Sequence, residues 1–405
     1  MMGTLLSAAI PILFSPVMTR IFTKADYGIL GLYMGVSGLL GVLAYAHYSQ
    51  AIMLAKENNE ARQVLWFTLV FCLAISLGTL LVLLIIFFFT GLLSNSAMGG
   101  WYFFIPLSVL LNGTSASLMV WANRHQQYKM LASNRIIQAL LTVVLQIGIG
   151  ILINDESGLM VGFIAGQLIS VLLLVLSFSK RPLASLGAPQ KSSFKEIAFR
   201  YKNLLFYSTP SEFINNLINQ TPIFLLQKFG GLSYVGSYNF TQRFLGLPQL
   251  FLSSALVEVF KQKASIAFNG QGNCRMVFIK TFRALIVLAI IPFIMIILFA
   301  PPLFAFIFGE EWREAGVFAQ FLSVLFFFRF IVSPLTFMYL LAGKMREDFW
   351  LHILFLVITT LSFYIGDFLL SDKQYLILVY SLAYSFVYII YLFRSYKFSG
   401  GKRSN

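Results

Sequence analysis

The sequence predicts an all-α integral membrane protein of about twelve transmembrane helices in two six-helix bundles. Three observations carry that prediction. Of 405 residues, 59% are hydrophobic and only 11% charged, with a mean hydropathy of +0.82, whereas an ordinary soluble domain carries roughly a quarter charged residues. Apolar runs long enough to cross a hydrocarbon core about 30 Å thick, which takes about 20 residues, recur along the whole chain. The longest connection between runs, 179–202, leaves no room for a soluble catalytic domain. The 43 Phe and 18 Tyr exclude a disordered chain. The two cysteines, Cys72 in an apolar run and Cys274 in a charged loop, exclude a disulfide scaffold.

Spans are expected near 3–20, 28–48, 64–90, 101–121, 133–153 and 158–178, then near 203–226, 233–257, 280–308, 315–341, 349–369 and 374–393. No small-residue cleavage site closes the first run, which argues against a signal peptide. That run opens at Met1-Met2-Gly3 with no basic flank, so the true start is expected upstream.

Between the halves lies 179–202, basic and containing Pro182 and Pro189. It reads as a cytoplasmic linker between a 1–178 lobe and a 203–395 lobe, with 396–405 as a basic cytoplasmic tail. A faint echo agrees: Arg20 precedes Gly28 by eight residues, Lys228 precedes Gly236 by eight, and Tyr33 and Tyr238 follow. Paired halves with a site between them are a common transporter plan.

The net charge of +14 is mostly topology. Loops rich in Lys and Arg stay cytoplasmic. With the N-terminus inside, 22 of the 29 basic residues fall in cytoplasmic segments and five outside: Arg20, Lys24, Lys228, Arg313 and Lys373. Both termini are therefore expected in the cytoplasm, and a nucleic-acid partner is not. All five tryptophans fall near span ends, where amphipathic rings favour the membrane interface.

Two arginines escape the loop count. Arg243 and Arg329 sit well inside expected spans, where an arginine costs about 2.5–3.5 kcal/mol on insertion scales and should face a bundle interior or water-filled cavity. Helical spacing places Gly236, Asn239, Gln242, Gly246, Gln249 and Ser253 on or beside the face of Arg243. The preceding span has its own stripe, Ser208, Glu212, Asn215 and Asn219, with Asn216 and Gln220 alongside and Pro210 and Pro222 bracketing it. Ser333 and Thr336 follow Arg329 on its face. Single amides serve as interhelical glue for about 0.6–2 kcal/mol each. Glue has no need of permanent cations, whereas a guanidinium fork matches phosphate oxygens and amides match sugar hydroxyls. Such a cavity suits a phosphorylated or acidic glycan-like solute. The competing reading has Glu212 neutralise Arg243.

Other candidates are weaker. Glu258 and Asp367 lie near span ends as interfacial carboxylates or sites for a coupling ion. Glu310, Glu311 and Glu314 complement a helix N-terminus. His47, His125 and His352 do not cluster, and no HExxH, CxxC, Walker A or nucleophile-elbow pattern occurs, so neither metal, cofactor nor catalysis is expected.

Phe308-Gly-Glu-Glu-Trp-Arg-Glu-Ala-Gly316, Arg329-Phe-Ile-Val-Ser-Pro334 and Gly343-Lys-Met-Arg346 resemble the C-terminal half of bacterial polysaccharide-transport proteins, the Wzx-type O-antigen flippases. Thr19-Arg20-Ile-Phe22 with Asp26-Tyr27-Gly28, Trp121-Ala-Asn-Arg124, Gln242-Arg243-Phe-Leu-Gly246-Leu-Pro248 and Phe260-Lys-Gln-Lys-Ala264 agree, so the resemblance runs from about residue 3 to 395. The N-terminus departs from the family pattern by being several residues short.

The resemblance implies the fold of multidrug and oligosaccharide-lipid exporters, two six-helix bundles around a central cavity, and a place in the bacterial inner membrane. It implies transfer of undecaprenyl-diphosphate-linked oligosaccharide to the periplasmic leaflet by alternating access. The diphosphate would meet Arg243, and further Arg329 and Arg20. Implied partners are the lipid-linked oligosaccharide, membrane lipid and a polysaccharide polymerase. Two other functions compete. A drug or organic-cation exporter of the same fold calls for acidic residues deep in the N-terminal lobe, which its spans do not show. A membrane polymerase or ligase acting on lipid-linked glycans calls for a large outside loop, which is missing.

Overall fold

The structure is a computed structural model that describes residues 2–91, 96–179, 191–249 and 254–401. Residues 180–190 of the expected linker, Ser253 and the tail residues 402–405 lie outside the described residues. The chain divides into two compact units, 1–220 and 221–405. Among the described residues the regular structure is helical throughout, and ten segments are long and apolar enough to cross a membrane.

The first unit opens with α1 (Met2–Leu13) and α2 (Ser15–Ile21), together one candidate span interrupted at Phe14. Pro16 explains the interruption: it has no N–H and its ring crowds the preceding turn, a kink that costs a helix interior about 3 kcal/mol. The hydroxyl of Ser15 donates to Ile12 O at 2.5 Å there. α3 (Lys24–Tyr45) begins with a reciprocal cap in which Asp26 N donates to Thr23 Oγ1 and Thr23 N to Asp26 Oδ2, at 3.3 and 2.8 Å. The second expected span is broken near its end, because Ala46 and His47 both adopt left-handed backbone before α4 (Tyr48–Leu54). Arg124 caps α4, its guanidinium donating to Ile52 O at 2.8 Å and Ala55 O at 2.9 Å.

α5 (Asn58–Thr90), α6 (Ile105–Arg124), α7 (Tyr128–Ile153) and α8 (Ser157–Ser179) complete the spans of this unit. α9 (Lys191–Arg200) is the helical part of the expected linker. It docks on α5 and buries Ile197 among Ala61, Val64, Leu65 and Phe178. Outside this apolar contact, Arg200 and the Tyr201 hydroxyl both donate to Glu60 Oε1, at 2.5 and 3.0 Å. Glu60 holds the Arg200 guanidinium above its ordinary pKa.

α10 (Thr209–Gly230) carries the boundary between the units, and α11 (Leu232–Leu245) follows in the second unit. These two occupy the seventh and eighth expected spans. They fall outside the ten apolar candidates because their polar stripes lower the hydropathy and α11 stops after 14 residues, at Gly246-Leu-Pro248. α12 (Ser254–Gln271) carries Glu258, Lys261 and Lys263. α13 (Arg275–Phe308) starts before the expected ninth span and takes in Lys280 and Arg283.

α14 (Arg313–Leu335), α15 (Phe337–Leu341), α16 (Met345–Leu369) and α17 (Tyr375–Ser399) complete the second unit. Gly316 lets α14 press on α13, since a Cβ there would meet Ala300 O at 2.7 Å. Trp312, at the start of a candidate span, turns inward: it is 1% exposed and packs against Phe240 at 4.4 Å between ring centroids, in a cluster with Phe244, Phe304 and Phe308. Burying that indole among other rings gives it a large apolar contact. Cys274 lies in the short loop before α13, as expected, and is buried there, 2% exposed with its Sγ 3.5 Å from Met338 Sδ.

Candidate functional site

The second unit brings one arginine into a setting that sequence spacing did not foresee. α14 packs against both α11 and α17. α17 presents Tyr380, Tyr384 and Tyr388 at intervals of four, one helical stripe. α11 supplies Tyr238. All four phenol groups lie within electrostatic reach of the half-buried Arg329. The guanidinium also sits over the Phe326 ring, 5.6 Å from its centroid.

The phenols cluster. Gln242 Nε2 donates to the Tyr238 hydroxyl, and the rings of Tyr238 and Tyr380 lie 6.4 Å apart and those of Tyr384 and Tyr388 5.4 Å apart, centroid to centroid. Ring packing fixes the stripe: Phe355 lies 4.4 Å from Tyr384 and Phe363 5.4 Å from Tyr380. Among the described residues no carboxylate lies within ion-pair distance of Arg329. A fixed positive charge thus lies over an aromatic face and among neutral phenols, which stabilise a cation without cancelling its charge.

The remaining candidates are placed as follows. Arg243 is half-buried in the last turn of α11, one residue after Gln242. Asn239 spends its amide nitrogen on Val235 O of its own helix, at 3.1 Å. In the first unit, Glu212 Oε1 accepts from Asn216 Nδ2 at 3.3 Å, one turn along α10. Asn215 and Asn219 are exposed, and the Asn219 amide donates to Asn215 O at 2.8 Å. Arg20 is exposed at the end of α2, where its charge faces the negative end of the helix dipole. Within the second unit the structure therefore joins Gln242 to Tyr238, one of the phenols near Arg329. Among the described residues no group of three or more His, Cys, Asp or Glu side chains could hold a metal.

The four tyrosines were missed by sequence reasoning. The signal was present: Tyr380, Tyr384, Tyr388 and Tyr391 repeat at helical spacing in the last span, but a tyrosine stripe in a membrane helix reads as packing until a cation is found opposite it.

Residues 17–317 match the model of a family described as "Polysaccharide biosynthesis protein". No curated protein matches the chain. Among solved structures, an inward-facing multidrug resistance MATE family transporter of the MOP superfamily aligns over 97% of this chain and 93% of its own, at 16% identity and a TM-score of 0.69. The lipid II flippase MurJ, in an inward closed conformation, aligns over 97% and 89%, at 15% identity and a TM-score of 0.69. A MOP superfamily transporter from Pyrococcus furiosus, whose description reports reverse polarity of its binding pocket, aligns over 97% and 93%, at 15% identity and a TM-score of 0.62. At these identities the likeness establishes the fold, which is the one expected from the resemblance.

Proposed function

Since the chain belongs to the polysaccharide biosynthesis protein family, we propose that it is a flippase. It moves undecaprenyl-diphosphate-linked oligosaccharide, an O-antigen or similar surface-polysaccharide repeat unit, from the cytoplasmic to the periplasmic leaflet of a bacterial inner membrane. Its termini stay in the cytoplasm, a placement that the distribution of Lys and Arg supports.

The observation that carries this reading is Arg329, a half-buried guanidinium in a membrane protein with neutral tyrosines for company and no carboxylate within ion-pair distance among the described residues. A drug exporter for organic cations needs the opposite polarity. A diphosphate headgroup would dock on the guanidinium by charge-assisted hydrogen bonds, and the phenols and Gln242 would offer donors and acceptors to glycan hydroxyls. The polyprenyl tail stays in lipid while the site is exposed to each leaflet in turn. The chain performs no covalent chemistry in this cycle.

The test is export of the lipid-linked glycan in cells lacking the native gene, with each variant matched for membrane abundance. Arg329→Ala abolishes export, and Arg329→Lys retains a fraction because the charge survives without the fork. Arg243→Ala and Arg243→Lys follow the same order. Full export by both alanine variants overturns the phosphate role.

A further inference from the structure

A second arginine without a carboxylate lies in the first unit, at the end that the Lys and Arg distribution assigns to the cytoplasm. There α1 crosses α7 so closely that a Cβ on Gly3 would lie 2.7 Å from Ala132 Cα. Beside the crossing is a cleft of about 310 Å³ lined by Thr4, Asn123, Tyr128 and Arg135 together with apolar Met119 and Leu131. Arg135 is half-buried, and its Nη1 donates to Thr4 Oγ1 at 2.5 Å. Among the described residues no carboxylate lies within ion-pair distance of it. Arg124, nearby in sequence, is committed to carbonyls of α4, so the cationic donor lining this cleft is Arg135.

We propose that this cleft binds the phosphate headgroup of a membrane lipid at the cytoplasmic interface. Four features specify the ligand. The guanidinium keeps donors beyond the single one given to Thr4, and those donors form a fork that fits phosphate oxygens. Asn123 and Tyr128 are exposed at the rim, where their amide and hydroxyl can bond a glycerol or sugar group. Lys129, exposed beside Tyr128, adds positive charge toward an anionic leaflet. Within five residues of Thr4 and Arg135 on the same two helices, Leu6, Ile137 and Leu140 are exposed at 52, 38 and 41%, apolar surface on which an acyl or prenyl chain can lie. A cationic headgroup site with exposed apolar surface on its two helices fits a lipid better than a free sugar phosphate.

Two sources offer this chemistry, an anionic phospholipid of the bilayer and a polyprenyl diphosphate. Native mass spectrometry of the purified full-length protein separates them, with dioleoyl phosphatidylglycerol and undecaprenyl diphosphate titrated in turn. Wild-type protein binds one or both. Arg135→Gln weakens that binding by about tenfold or more, as expected for losing charge-assisted hydrogen bonds. Arg135→Lys falls between, and Thr4→Val, which frees the guanidinium from its holder, weakens binding less than Arg135→Gln.

Loss confined to phosphatidylglycerol identifies the headgroup as a bilayer phospholipid, and loss for undecaprenyl diphosphate identifies a polyprenyl lipid. Unchanged binding of both lipids by an Arg135→Gln protein with wild-type melting behaviour overturns the proposal. The readout is binding without transport, and its phosphatidylglycerol arm does not involve Arg329, so this site and the transport reading can fail separately.

Discussion

The pairing of α7 with α8 offers a direct test of the packing argument. Gly158, Gly162 and Gly166 recur every four residues along α8, and small residues at this spacing let membrane helices approach to backbone contact. A Cβ built on Gly158 lies 2.8 Å from both Gly150 Cα and Gly150 N, and 2.8 Å from Phe22 Cζ. Ordinary carbon contacts are about 3.5–4.0 Å, so Gly158→Ala forces the two backbones apart by about 0.7 Å or more. Overpacking of this kind costs about 1–3 kcal/mol, against which alanine gains back up to about 1 kcal/mol of helix propensity. The net loss lowers the melting temperature by about 2–8 °C for a unit of this size. The assay is a thermal melt of purified protein in one detergent, with Gly148→Ala as control, since a Cβ on Gly148 meets nothing within 4 Å. That control gains propensity without a clash and melts at or above the wild-type temperature. Equal melting of the two variants would refute the claim that glycine is required at 158 for close approach.

Two further predictions follow from burial. Trp312→Ala removes a ring packed 4.4 Å from Phe240 in a closed aromatic cluster, costing about 3–5 kcal/mol, and the variant is recovered largely as aggregate in size-exclusion chromatography, whereas Trp312→Phe remains monodisperse. Cys274 is buried, which pushes its thiol up to about 11, so at pH 8 its thiolate fraction is about a hundredfold below that of an ordinary cysteine. Since Cys72 is also fully buried, iodoacetamide labels the folded protein slowly at pH 8 and rapidly once it is denatured, as a mass-shift time course will show.

Much of the fold was legible because bilayer thickness imposes one dominant length scale on the sequence. Ten expected spans coincide with helices able to cross a membrane, within several residues at their ends. The seventh and eighth departed from that scale for the reason that drew notice to them: Glu212, Asn215, Asn219, Asn239 and Gln242 make α10 and α11 too polar to register as apolar spans. Interruptions were harder to read, since the break at Ala46 and His47 has neither glycine nor proline to announce it. Several residues that carried the family resemblance proved to be structural. Asp26 closes a cap, Arg124 terminates α4, Trp312 fills a core and Gly316 permits a close crossing. Of the site, the arginines were visible as charges out of place. The phenols around Arg329 were not, because they come from α11 and α17, more than 130 residues apart in the chain, and pairing between helices is a tertiary property.

The choice of tyrosine around Arg329 bears on the transport proposal. A carboxylate at about 4 Å would attract the guanidinium by about 4 kcal/mol at an effective dielectric of 20. The same carboxylate would repel an incoming phosphate by a similar amount, leaving the site with little net attraction for an anion. Phenol oxygens and ring faces contribute dipoles and quadrupoles, whose fields fall off faster than that of a charge. They stabilise the cation locally while its full positive charge persists at the distance of an approaching ligand. Holding such a charge half-buried costs stability, which a purely structural arginine would recover through an acidic partner. Arg329 lies near the Tyr380, Tyr384 and Tyr388 stripe without that recovery, which is the arrangement expected where the charge must remain available to an anionic headgroup.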